Sequence, residues 1–184
     1  RGVRGRDDAV YLRLRIPTMP QLPAQMRNSL YRFNELNLLW TALHLTDSNR
    51  RILISVAQEP EKTMRWLKEA FDLPSWAGAP AFAVSDVHRA RFDEARATAV
   101  DYCGADSYEV ALLDRGIATS HGQMPQRLRR LMTDLIDRGI CPITVATATL
   151  TEGVNLPFDL IFVVSLKRRS YDAANQLPIV APMS

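Results

Sequence analysis

The chain has 184 residues, 47% of them hydrophobic and 23% charged, enough to bury one core with a short appended segment, and unlike a disordered or fibrous chain. Lys and Arg outnumber Asp and Glu by 23 to 20, a net charge of +3, so charge permits a polyanionic partner without demanding one. Cys103 and Cys141 stand far apart with no metal-ligand spacing, no apolar run approaches the roughly 20 residues of a bilayer span, and the basic start at residues 1–6 lacks a signal-peptide core, so a soluble cytoplasmic protein with free thiols is expected.

Residues 1–28 combine that basic start, an alternating run from Tyr11 to Ile16 and prolines at 17, 20 and 23, which predicts an edge strand and a linker. From Leu30 the period becomes helical, with Phe33, Leu36, Leu39, Trp40 and Leu43 sharing one face before a turn at residues 47–49. An apolar strand follows over residues 51–57, and Pro60 opens a helix whose Met64, Leu67 and Phe71 align. Pro74, Gly78 and Pro80 interrupt the next interval until Ser85 and Asp86 start an Ala- and Arg-rich helix. Asp106 and Glu109 have capping-box spacing for a helix through Asp114, and Gly116 closes it. A short strand at residues 117–120 leads to a helix over residues 125–138, in which Leu128, Leu131, Met132, Leu135 and Ile136 repeat with helical spacing and Gly139 provides the stop. Residues 142–147 and 160–166 are short β-branched runs, the pattern of strands buried on both faces of a parallel sheet. Strands alternating with helices predict a layered α/β domain.

The chemistry concentrates in two places. At Thr147–Asn155 a strand ends in hydroxyl residues, and Thr149 with Glu152 has capping-box spacing, so an ordered turn presents its first amides outward, where they bind anions. Thr147 stands at the carboxyl end of its strand, where open α/β sheets bind ligands. Gly153 admits close approach, and Asn155 supplies a donor and an acceptor. A plainer alternative is that the threonines only cap a helix and Gly153 relieves crowding. His121 follows a strand and precedes a glycine, as a contact residue or a structural one. Arg127 and Arg130 lie one turn apart on a polar helix face and could meet phosphates, although Arg130–Asp134 and Asp134–Arg138 also have pairing distance. Arg129 and Arg138 read as a solvated face, and Arg89, Arg91 and Arg96, mixed with Asp93 and Glu94, as a surface helix.

The sequence contains no Gly-x-x-x-x-Gly-Lys-Ser/Thr loop and no Asp-Glu pair ending an apolar strand, so the chain alone is not expected to hydrolyse ATP. No catalytic residue and no metal site are predicted within it.

Taken together, Ser120-His121-Gly122 and Ala146-Thr-Ala-Thr-Leu-Thr-Glu-Gly-Val-Asn-Leu-Pro157 resemble the second, C-terminal RecA-like domain of superfamily two helicases, and most of all the Ski-type DExH group. There a strand ending in His-His-Gly or His-His-Ala-Gly precedes an arginine-bearing helix and then motif V; this chain has Ser120 for the first histidine. Ser55–Gln58 stands where motif IV would, in atypical wording. The resemblance covers roughly residues 30–166 and is poor over 73–105. It implies a RecA-like three-layer α/β domain at residues 29–184, with a mainly parallel central sheet flanked by helices, truncated before the arginines of motif VI, so that the sequence is expected to be an excerpt of a longer one. It also implies that Thr147, Thr149, His121 and Arg127 hold the DNA or RNA backbone, while Gly153, Asn155 and Glu152 face the nucleotide. ATP and magnesium would belong to the intact enzyme, shared with an N-terminal RecA-like ATPase domain and not bound by this half alone. Two alternatives are a non-catalytic RecA-like adaptor for nucleic acid or protein, and an unrelated α/β enzyme whose Thr147–Asn155 turn takes a phosphorylated small molecule.

Overall fold

The computed structural model describes residues 16–46, 50–56, 60–147, 158–164 and 180–182. In chain order these form α1 (Leu30–Leu45), β1 (Ile52–Val56), α2 (Pro60–Phe71), α3 (Arg89–Cys103), α4 (Tyr108–Leu113), β2 (Ile117–Ser120), α5 (Gln126–Asp137), β3 (Ile143–Thr147), β4 (Leu160–Val164) and β5 (Val180–Pro182). The strands make one sheet in the order β2-β3-β1-β4-β5. The first four are mutually parallel, and β5 pairs antiparallel with β4.

Alternation along each strand splits the core in two. Ile52, Ile54 and Val56 of β1, with Ile117, Ile143 and Val145, pack against α1, Met64 and Leu67 of α2, and Trp76. Ala118 on the opposite face joins Phe92, Ala95 and Ala99 of α3 and Leu128, Met132 and Leu135 of α5. Helices therefore cover both faces of a mainly parallel sheet, the three-layer RecA-like arrangement that the resemblance implies. Progress from β1 to β2 runs one way across the sheet and from β2 to β3 runs back. One crossover hand then requires the connecting helices on opposite faces, as α2 and α5 are.

At the amino-terminal rim the strands are fastened by the backbone. The Arg51 amide donates to Asp159 Oδ2 at 2.8 Å, and Asp159 and Leu160 amides donate back to the Arg51 carbonyl at 2.8 and 3.2 Å. Ile52 donates to the Pro142 carbonyl at 2.9 Å.

Several sequence expectations shift. Phe33 is 41% exposed and does not share the buried face of Leu36, Leu39, Trp40 and Leu43, although Tyr31 in the first turn packs against the core; Ser29, whose hydroxyl accepts from the Arg32 amide, caps the helix. The cap of α4 is Ser107, accepting from the Val110 amide at 3.3 Å, instead of Asp106, so Glu109 falls in the first turn and points inward. Gly116 closes α4 as expected, at φ +80°. The strands β1, β2 and β3 are buried except at Thr147, but the described side chains of β4, one place in from the edge, are only half-buried. β5 gave no signal, because three residues ending in Pro182 read as loop. An edge strand tolerates proline, which cannot donate to a further neighbour.

The stretch expected as a linker buries Met19, Leu22 and Met26 in the first core, and Trp40 Nε1 donates to the Pro17 carbonyl at 2.8 Å. The expected strand up to Arg15, the turn at 47–49, Gln58, residues 165–166 and most of the Thr147–Asn155 turn, including Thr149, Glu152, Gly153 and Asn155, lie outside the described residues.

Candidate functional site

Parallel register decides where the loops meet. Val56 stands opposite Thr147, and Ser120 opposite Ala146, so β1, β2 and β3 all end at the same rim within one residue. What leaves them there lines an open groove of about 770 Å³: the first turns of α2 after β1, the loop His121–Gln123 after β2, and Thr147 at the end of β3. This is the carboxyl edge of a parallel sheet, where backbone amides and helix N-termini converge.

From α2 come Pro60, Glu61, Lys62 and Arg65. Proline at the first helical position forfeits no intrahelical bond, and its fixed φ aims the turn. Lys62 and Arg65, three residues apart and both exposed, share the helix face toward the groove, where Glu61 is the opposing charge. Together with the positive end of the helix dipole they bias the groove toward anions.

The loop after β2 is held from behind. Arg129, one turn into α5, donates from Nη2 to the carbonyls of Gly122 at 2.8 Å and Met124 at 3.1 Å, and the Met124 amide donates to the His121 carbonyl at 3.3 Å. The reading of Arg129 as solvated is corrected: it is half-buried, and its charge fixes the loop. Gly122 faces open space. His121 lines the groove, but its imidazole turns inward: its side chain is 6% exposed, and Nε2 lies 3.6 Å from Oε2 of the equally buried Glu109. Neither ring nitrogen makes a hydrogen bond among the described residues. His121 thus lines the groove with its ring turned inward onto Glu109.

Arg127 is elsewhere. It extends from α5 toward α3, 3.9 Å from Glu94 and well exposed, beside Arg130 and Leu131 in a smaller groove of about 350 Å³. Asp134 binds Arg138 at 2.8 Å and Arg91 of α3 at 3.2 Å; Arg130 is not its partner. Arg89 and Arg96 also pair with surface carboxylates, those of Asp93 and Asp114. Both cysteines are free; burial pushes the Cys141 thiol up to about 12, and burial followed by the Glu109 charge pushes Cys103 up to about 11, so neither is a thiolate nucleophile at neutral pH.

The structure therefore brings Thr147 and His121 together and leaves Arg127 apart. The sequence reading missed Lys62, Arg65, Gln123, Arg129 and Glu109. A helix opened by Pro60 directly after a buried strand was the available signal for the first two, because such a helix starts at the ligand edge of the sheet. Among the described residues no group of three His, Cys, Asp or Glu side chains could hold a metal ion, and no helix is long and apolar enough to cross a membrane. No known protein family matches the chain, and no curated protein matches it.

Proposed function

We propose that this chain is the second motor domain of an ATP-dependent nucleic-acid helicase or translocase, acting in the cytoplasm, and that the rim groove grips the phosphate backbone. The observation that carries the reading is the convergence of Thr147, the β2 loop and the cationic first turns of α2 on one open groove. Cations and amides at a helix N-terminus hold phosphates without reading bases, so the grip is largely independent of sequence.

The chain has no phosphate loop. Its sequence also has no Asp-Glu pair ending an apolar strand, so the ligands for a nucleotide's magnesium would come from a partner RecA-like domain. Nucleotide between two such domains would close the cleft and shift their grips on a strand relative to one another. This chain supplies one grip, and Gly153, Asn155 and Glu152 would face the shared cleft.

The test has two parts. A labelled oligonucleotide titrated into the chain should bind more weakly as salt rises, and Thr147→Ala should weaken that binding further. In a polypeptide that joins this chain to a nucleotide-binding RecA-like domain, Thr147→Ala, Gly153→Val and Asn155→Ala should each depress nucleic-acid-stimulated ATPase. Unchanged rates in all three would remove the motor assignment.

A further inference from the structure

Beside the rim groove, the surface of α2 continues past Arg65. One residue further along α2, and about 6 Å along the helix axis from Lys62, Trp66 is half-buried at the surface. Two cations lie over its ring: Lys62 Nζ at 5.2 Å from the centroid and the Arg32 guanidinium at 5.5 Å. Arg32 is tied to Glu69 and has a side chain only 15% exposed, so it is a fixed support, whereas Lys62 is exposed and reaches both ring and groove. The chain's other tryptophans, Trp40 and Trp76, are 5% and 1% exposed and belong to the core.

We propose that Trp66 is a stacking platform for an unpaired base beside the groove. The inference rests on the reading of the groove as a phosphate grip. A strand whose phosphate engages Lys62 and Arg65 draws the lysine off the indole and brings the adjoining base beside the exposed part of the ring. Every base has a π-face, so the contact adds affinity without sequence preference. A base inside a duplex has both faces occupied by its neighbours and cannot make the contact. Of the carboxylates near the track, Glu69 is neutralised by Arg32, Glu35 is buried within reach of the Lys62 charge, and Glu61 opposes the phosphate and moderates affinity.

The experiment compares three probes of equal length on the intact chain: a single strand, the same strand with abasic sites, and a duplex. Affinity and tryptophan fluorescence are both read. The normal strand should bind about tenfold more tightly than the abasic one, the scale of one base–aromatic contact, and should quench the single accessible indole. Trp66→Ala should remove that tenfold difference, and Trp66→Phe should retain most of it; thermal melts of both variants check folding. Equal affinity for normal and abasic strands, or for single strand and duplex, overturns the stacking platform while leaving the backbone grip intact. Absence of binding by all three probes at low salt overturns both.

Discussion

Glu35, on the inner side of α1, is 7% exposed; Thr63 Oγ1 donates to one of its oxygens at 3.2 Å and the other has no partner among the described residues. Burial pushes its carboxyl up to about 7, against smaller opposing effects of the Thr63 hydrogen bond and the Lys62 charge. A carboxyl raised in the folded state from 4.5 costs nothing while both states are protonated, so stability is fullest below pH 4.5 and is lost as pH rises towards 7. Glu35→Gln should therefore stabilise the protein by up to about 3 kcal/mol above that window and by almost nothing below it, as measured by urea unfolding across pH. Gly116 carries the opposite kind of constraint. It sits at φ +80°, and a Cβ there would lie 2.5 Å from the Phe82 ring. Gly116→Ala pays for left-handed backbone and overpacking together, and should cost about 2 kcal/mol or more in chemical denaturation.

The β2–α5 loop is an element whose order depends on one side chain. Arg129→Ala removes both charge-assisted bonds to the Gly122 and Met124 carbonyls. It should lower global stability by only about 1–2 kcal/mol while speeding amide exchange from Gly122 to Met124 and weakening oligonucleotide binding. Exchange unchanged in that loop would show that it is held by something else. Arg129 also shows where the sequence was legible and where it was not. The α5 helix could be read because Leu128, Met132 and Leu135 repeat at its period, and β1 and β3 because short, largely apolar and β-branched runs bounded by turns are parallel strands. That Arg129 bends back under its own preceding loop is a side-chain choice, and that Glu109 meets His121 and α2 turns Lys62 and Arg65 toward Thr147 are contacts between separate elements; no helical or strand period encodes any of these. Thr147 and His121 could be named because one ends a strand and the other directly follows one. Arg127 was named on helical spacing and on the arginine-bearing helix of the resemblance, which find a face of α5 but not which neighbour that face meets, here Glu94 of α3.

Taken whole, the molecule has a small excess of positive charge, 23 basic to 20 acidic residues, so the proposed grip depends on where charge is placed and not on how much there is. Most of the described arginines outside the groove are already paired with carboxylates or carbonyls. If Lys62 and Arg65 neutralise two phosphates of a single strand, log affinity should fall with log salt with a slope of about −1.4 from that pair, and Lys62→Ala with Arg65→Ala should flatten the total slope by about that amount. Glu61→Gln should tighten binding at every salt concentration. The sheet that organises this has two unlike borders. The groove border is made of side chains and loop tips, whereas the Arg51–Asp159 and Ile52–Pro142 clasps on the far border rest largely on main-chain groups. A lineage could thus rewrite what the molecule holds, residue by residue, along one border while the clasp that keeps its strands aligned goes untouched.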